Sequence, residues 1–122
     1  MRAKGLAWLG IPVDDVDAAI AFFSGQLGIE VELRDGDFAV LRLPSGQTVE
    51  LFGPSQRGQP QFVSGPITGF EVDDVRAARA ELEADGVEFI GPVHPGDDGR
   101  AWSHFFGPEG QVYELTQLER DG

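Results

Sequence analysis

The tetrapeptide Val13-Asp14-Asp15-Val16 returns 59 residues later as Val72-Asp73-Asp74-Val75. Self-similarity at that spacing means two copies of one supersecondary unit, so the chain is read as a duplication before anything else. Ala18, Ala19 and Ala21 match Ala77, Ala78 and Ala80, and after a one-residue deletion Gly28-Ile29-Glu30-Val31 matches Gly86-Val87-Glu88-Phe89. Both copies also close alike. Val49-Glu50-Leu51 resembles Tyr113-Glu114-Leu115, each after a Gly-Gln turn signal at Gly46-Gln47 and Gly110-Gln111.

Each copy has the same local grammar. Leu6 to Val13 alternates as a strand does, and Asp14 or Asp15 offers an oxygen to the free amides of a following helix. In that helix Val16, Ala19, Ile20, Phe23 and Leu27 form one apolar stripe, and Gly28 permits a left-handed stop. Strands at 29–34, 38–43 and 48–52 follow, separated by the turns Asp35-Gly36-Asp37 and Pro44-Ser45-Gly46. The second copy supplies a strand at 68–72, a helix from Val75 to about Asp85, and strands near 87–90, 101–106 and 111–118. The order is βαβββ, twice: one domain over 1–122, a first module over 5–53, a linker over 54–66 rich in Gly, Pro, Ser and Gln, and a second module over 67–119.

The 122 residues carry 21 acidic against 9 basic side chains, a formal charge of −12, and no lysine or arginine cluster reverses it locally. Such a surface repels phosphate backbones and anionic lipids, so no nucleic-acid or membrane partner is expected. Gly10, Pro12 and Asp14 interrupt the N-terminal apolar residues before a signal core forms, and a cytoplasmic address is the expectation. Without cysteine there is no thiolate nucleophile, thiolate metal site or disulfide. The few serines form no nucleophile–base–acid pattern, and Gly53-Pro-Ser-Gln-Arg-Gly lacks the lysine of a phosphate-cradling loop.

Paired βαβββ modules, the pattern from Val13 to Gly28, and the closing run Phe106-Gly-Pro-Glu-Gly-Gln-Val-Tyr-Glu-Leu resemble the vicinal oxygen chelate superfamily, which includes glyoxalase I, bleomycin-resistance proteins and extradiol dioxygenases. Gly107 stands where that family's closing motif usually has Asp. The resemblance implies an α+β fold whose two modules form a half-open mixed β-barrel with the helices outside, and a ligand held in the concave face. It also implies, for the metalloenzyme members, a His or Gln on the first strand seven residues before the second Asp, and the Glu of the closing strand. Here those first-strand positions are Trp8 and Ile67, neither with a lone pair for a metal, while the glutamates survive as Glu50 and Glu114. No metal and no cofactor are therefore expected.

Strand parity then sorts the faces. With Leu9, Ile11 and Val13 under the helix, Trp8, Gly10 and Pro12 face the concavity, as do Ile67, Gly69 and Glu71, with Thr48, Glu50 and Phe52, and with Val112, Glu114 and Thr116. The candidate ligand-binding residues are Trp8, Glu50, Phe52, Ile67, Trp102, His104 and Glu114, although a strand glutamate or histidine is as readily a solvated or structural group. His94, in a loop, reads as surface.

Two classes of function fit. One is a metal-free binding protein for an aromatic or cationic small molecule, similar to the drug-sequestering members, in which the carboxylates draw a cation and Trp8, Phe52 and Trp102 stack on its planar part. The other is a lyase, isomerase or dioxygenase-type enzyme with Glu50, Glu114 or His104 as acid–base groups. Exposed sheet edges point further to a homodimer.

Overall fold

The computed structural model describes residues 1–56 and 65–118; residues 57–64 of the expected linker, and the end of the expected second module at 119, lie outside the described residues. Eight strands and two principal helices follow in the order β1 (Gly5–Pro12), α1 (Val16–Ile20), β2 (Glu30–Asp35), β3 (Phe38–Arg42), β4 (Thr48–Phe52), β5 (Ile67–Glu71), α2 (Val75–Ala84), β6 (Phe89–Pro95), β7 (Ala101–Phe106) and β8 (Val112–Gln117). This is βαβββ twice, in the α+β class. Among the described residues no helix is long and apolar enough to cross a membrane.

The chain divides into two compact units, Trp8–Ile67 and Met1–Ala7 with the residues from Thr68 on. In the first the strands lie in the order β2-β3-β4-β1 and in the second β5-β8-β7-β6. Both use one register. Leu9 lies beside Val49 and Gly10 beside Glu50 in the parallel pair β1·β4; Thr68 lies beside Tyr113 and Gly69 beside Glu114 in the parallel pair β5·β8. The chain leaves each first strand through the same bond, Val13 N to Phe52 O and Val72 N to Thr116 O, both 2.9 Å.

Each helix starts on the second Asp of the repeat. Asp15 accepts from Ala18 N at 3.0 Å and Asp74 from Ala77 N at 3.1 Å, filling a free donor of the first turn. In the second unit Gln117, buried at the end of β8, adds an acceptor for Val75 N at 3.0 Å and donates to Gly99 O at 2.7 Å. The cores follow: Val16, Ile29, Ala39, Leu41, Val49 and Leu51 beneath α1, and Val72, Val75, Ala78, Ala101 and Leu115 beneath α2.

Two expectations need correction. The first helix is α-helical only to Ile20 and continues as a π-helix over Ala21–Gln26, with Leu27 N bonded to Phe22 O. The wider turn breaks the 3.6-residue period, so Leu27, expected on the buried stripe, is 57% exposed. The strand expected at 87–90 starts at Phe89 and runs through a register shift to Pro95, which takes His94 out of the loop and into β6.

Where β4 ends, Gly53 donates to Asp37 O at 2.7 Å, and a Cβ there would lie 2.5 Å from the Asp37 Cβ, so only glycine fits. The Ser55 hydroxyl and, at 2.7 Å, its backbone N–H donate to the Asp37 carboxylate and hold that carboxyl below the usual range. A carboxyl lowered by folding contributes stability that is complete above its unfolded value, about 3.9, and is lost as pH falls through the lower folded value. Ser55→Ala is expected to lower the urea midpoint at pH 7, with the gap to the parent narrowing as pH falls below about 4. A gap unchanged across that range would contradict this role for Asp37.

Candidate functional site

In the first unit the indole of Trp8 lies across Gly10: a Cβ on that glycine would stand 1.8 Å from Trp8 Cζ3. The ring meets Phe52 edge-on at 6.2 Å, and Phe52 meets Phe38 at 5.4 Å. Trp8 and Phe52 are buried, and Glu50, half-buried, sits between Gly10 and Val40 in the ladder. Ile67, at the start of β5, is fully buried. Trp8 and Phe52, read onto one face from strand parity, meet here, the structure adds Phe38 beside Phe52, and the glycine is what admits the indole.

The second unit has a polar face. β7 and β8 run antiparallel with His104 opposite Glu114 and Trp102 opposite Thr116. His104 Nε2 stands 3.0 Å from Glu114 Oε1, and Thr116 Oγ1 donates to Glu114 Oε2 at 2.6 Å. His104 and Glu114 are 3% and 4% exposed. A buried ionisable pair of this kind survives only if each charge finds partners, and here they come from within the same sheet. Glu71, expected on this face, is held by Lys4 at 3.3 Å, and Asp73 and Glu71 keep the Lys4 ammonium above its ordinary range. Both carboxylates of this face thus already have a cationic or donor partner from the chain itself. That weakens the simple picture of bare carboxylates waiting for a cation.

The register shift in β6 also brings His94 opposite Trp102, where the two rings stack at 5.9 Å and 21°, with His94 edge-on to His104 at 6.2 Å. Sequence reading missed this histidine because Gly91-Pro-Val-His-Pro-Gly has the composition of a loop. It put Thr116 on this face beside Glu114 but not the bond between them, which a threonine two residues from a strand glutamate does not signal.

The family resemblance implies a metal held from the first and closing strands of each module. Trp8 and Ile67 offer no lone pair and are packed into the protein, the indole fills the space before Gly10, and Glu114 is engaged by His104 and Thr116. Among the described residues no three His, Cys, Asp or Glu side chains are grouped to hold a metal ion. These residues do not fit the family's centre.

The chain belongs to the Glyoxalase/Bleomycin resistance protein/Dioxygenase superfamily, whose model matches residues 5–115. Among solved structures it is similar to a methylmalonyl-CoA epimerase from Mycobacterium tuberculosis, with 24% identity, a TM-score of 0.72, and 94% of this chain and 88% of that one covered. A hypothetical protein from Bacillus halodurans matches at 20% identity and a TM-score of 0.73, with 96% of each chain covered. A Streptomyces coelicolor methylmalonyl-CoA epimerase variant in complex with 2-nitronate-propionyl-CoA matches at 21% identity and 0.71, covering 95% of this chain and 98% of that one. At these identities the likeness is one of fold. No curated protein matches the sequence.

Proposed function

We propose that this protein binds an aromatic or cationic small molecule, without a metal, on the sheet faces turned away from the helices. The observation that supports this most is Trp8. At the position where metalloenzyme members are read to carry a ligand, an indole lies across Gly10 against Phe52, which exchanges a metal-binding position for an aromatic surface beside Glu50. Sequestration of a drug-like molecule in the cytoplasm, as in the antibiotic-resistance members, is the role that fits such a surface.

A second reading is favoured by the buried His104–Glu114 pair: acid–base chemistry of the lyase or isomerase type, with the epimerases of similar fold as a parallel. The fold alone supports both readings, since scaffolds of one shape host many chemistries.

Ligand charge discriminates between them. A planar cation on the first unit's face would lie beside Glu50, and a cation–carboxylate contact is worth about 1 kcal/mol in water-like surroundings and about 4 at an effective dielectric near 20. A planar cation is therefore expected to raise the melting temperature with concentration, an anion of the same shape to do so less, and replacing Glu50 and Glu114 together by Gln to remove the preference. Equal shifts for cations and anions would sink the binding reading as stated. Turnover of an acyl-CoA thioester such as methylmalonyl-CoA, lost in Glu114→Gln, would establish the enzyme instead.

We further propose a homodimer. All six residues of the edge strand β2 are exposed, Val31 at 36% and Leu33 at 49%, and an edge of this kind is normally covered or blunted. Light scattering at micromolar concentration should give about twice the 13.2 kDa of one chain. A mass near that of one chain would contradict the dimer.

A further inference from the structure

Each sheet carries a row of four side chains, one from each strand, on the side where its helix packs. The register makes the rows equivalent: Ile11, Val49, Leu41 and Val31 in the first unit, and Phe70, Tyr113, Phe105 and Phe89 in the second. The first row is aliphatic throughout and the second aromatic throughout. Ring centroids follow one another at 5.9 Å from Phe70 to Tyr113, 5.8 Å on to Phe105 and 5.3 Å on to Phe89, the spacing of favourable ring pairs. Phe89 and Phe105 border the core beneath α2. The middle of the first row is closed to water, with Leu41 0% and Val49 5% exposed, whereas all four rings of the second are only half-buried. A core needs no more than the aliphatic version, so four rings left part-open to water call for another explanation.

The position of the phenol ring depends on a glycine. A Cβ on Gly107 would lie 2.6 Å from Tyr113 Cε2 and 3.2 Å from its Cδ2, so the ring lies against a residue without a side chain. One end of the row already has a cation. The Arg79 guanidinium sits 4.9 Å from the centroid of Phe89 and donates to Gly91 O at 2.8 Å, Ser103 Oγ at 3.1 Å and Glu83 Oε1 at 3.2 Å. Among the described residues no other cation lies over the row. Acid surrounds it. The helix α2, which leads into the strand of Phe89, ends with Glu83 and its cap Asp85 and has no basic residue in its last turn, where the partial charge of a helix is itself negative. Glu88, whose carbonyl accepts from Phe106 N, and Glu109, in the turn from Gly107 to Gly110, are both exposed.

Aromatic faces are electron-rich, and a guanidinium, planar and weakly hydrated, stacks on them better than an ammonium does. We propose that Tyr113 and Phe105 form a docking surface for a basic segment of a partner protein. An arginine of that segment stacks on these rings as Arg79 does on Phe89, while Asp85, Glu88 and Glu109 attract its charge. The surface lies on the opposite side of the sheet from His104 and Glu114, so this partner is separate from the small molecule proposed above, and neither reading depends on the other.

The test uses the whole chain labelled with meta-fluorotyrosine, which gives one fluorine NMR signal because Tyr113 is the only tyrosine. The probes are three acetylated glycine peptides that differ only in carrying two arginines, two lysines or two citrullines, the last a neutral analogue of arginine. The arginine peptide is expected to shift the Tyr113 signal saturably and to bind about threefold more tightly than the lysine peptide. The citrulline peptide should leave the signal in place at the same concentration. Phe105→Leu should weaken the arginine peptide about threefold, and Gly107→Ala should weaken it by displacing the phenol ring. Should Phe105→Leu fail to fold, the Gly107→Ala arm decides, and binding there equal to the parent overturns the role of the rings. Arginine and lysine peptides that bind equally, or a citrulline peptide that binds as well as the arginine one, overturn the stacked guanidinium. Binding with the Tyr113 signal unmoved, as an acidic surface alone would give, overturns the docking surface, and so does an absence of binding by all three peptides.

Discussion

In each module the first strand and the last lie parallel, and the identity of that pairing in the two copies places everything else. Parallel neighbours need a crossover, and in each copy the helix and two intervening strands supply it. The register sets Gly10 against Glu50 and Gly69 against Glu114, so the closing glutamate always faces a residue without a side chain. The same register sends Val49, Leu51 and Leu115 under the helices, where they are almost wholly removed from water. A slip of one residue would exchange the two faces, burying a carboxylate beneath a helix and exposing the core, and that penalty makes the register unique.

On this duplicated scaffold the two copies have diverged in opposite directions. The first has filled the room above its glycine with an indole that meets Phe52, which in turn meets Phe38. The second has kept a histidine, a threonine and a glutamate in contact where the first has valine, phenylalanine and glutamate. Burying that pair costs desolvation that an apolar substitute would avoid. Such divergence follows from a fold whose stability lies on the helix side of each sheet and leaves the other side free for chemistry.

Most of this architecture was legible in the sequence, because its signals are short-range or repeated. Asp15 and Asp74 announce the helix starts, Gly28 and Gly86 the stops, and the alternation around Val49 and Leu115 the buried faces. What could not be read depends on three-dimensional register. The π-helical turn after Ile20 leaves the apolar spacing intact in sequence while rotating Leu27 to the surface. The shift between Ile90 and His94 moves a residue of loop composition onto the face of a strand. Gly96 looks like a turn residue and is required by the indole of Trp102. Gln117 looks like the frayed end of a strand, yet it holds the start of α2 and the loop at Gly99. Trp8, Phe52 and Glu114 were named as candidates from strand parity and His104 from its strand beside Trp102, whereas their actual neighbours were not legible.

The central claim is that this superfamily member works without the metal its relatives' site implies, since Trp8 and Ile67 occupy the first-strand positions. Equilibrium dialysis of the purified chain against cobalt(II) and zinc(II), with bound metal measured by mass spectrometry and cobalt by its visible absorption, tests it most directly. The account predicts less than about a tenth of an equivalent bound and no ligand-field bands, given the preference of these ions for imidazole and several ligands at once. One equivalent of metal per chain, lost when Glu50 and Glu114 are both replaced by Gln, would contradict it.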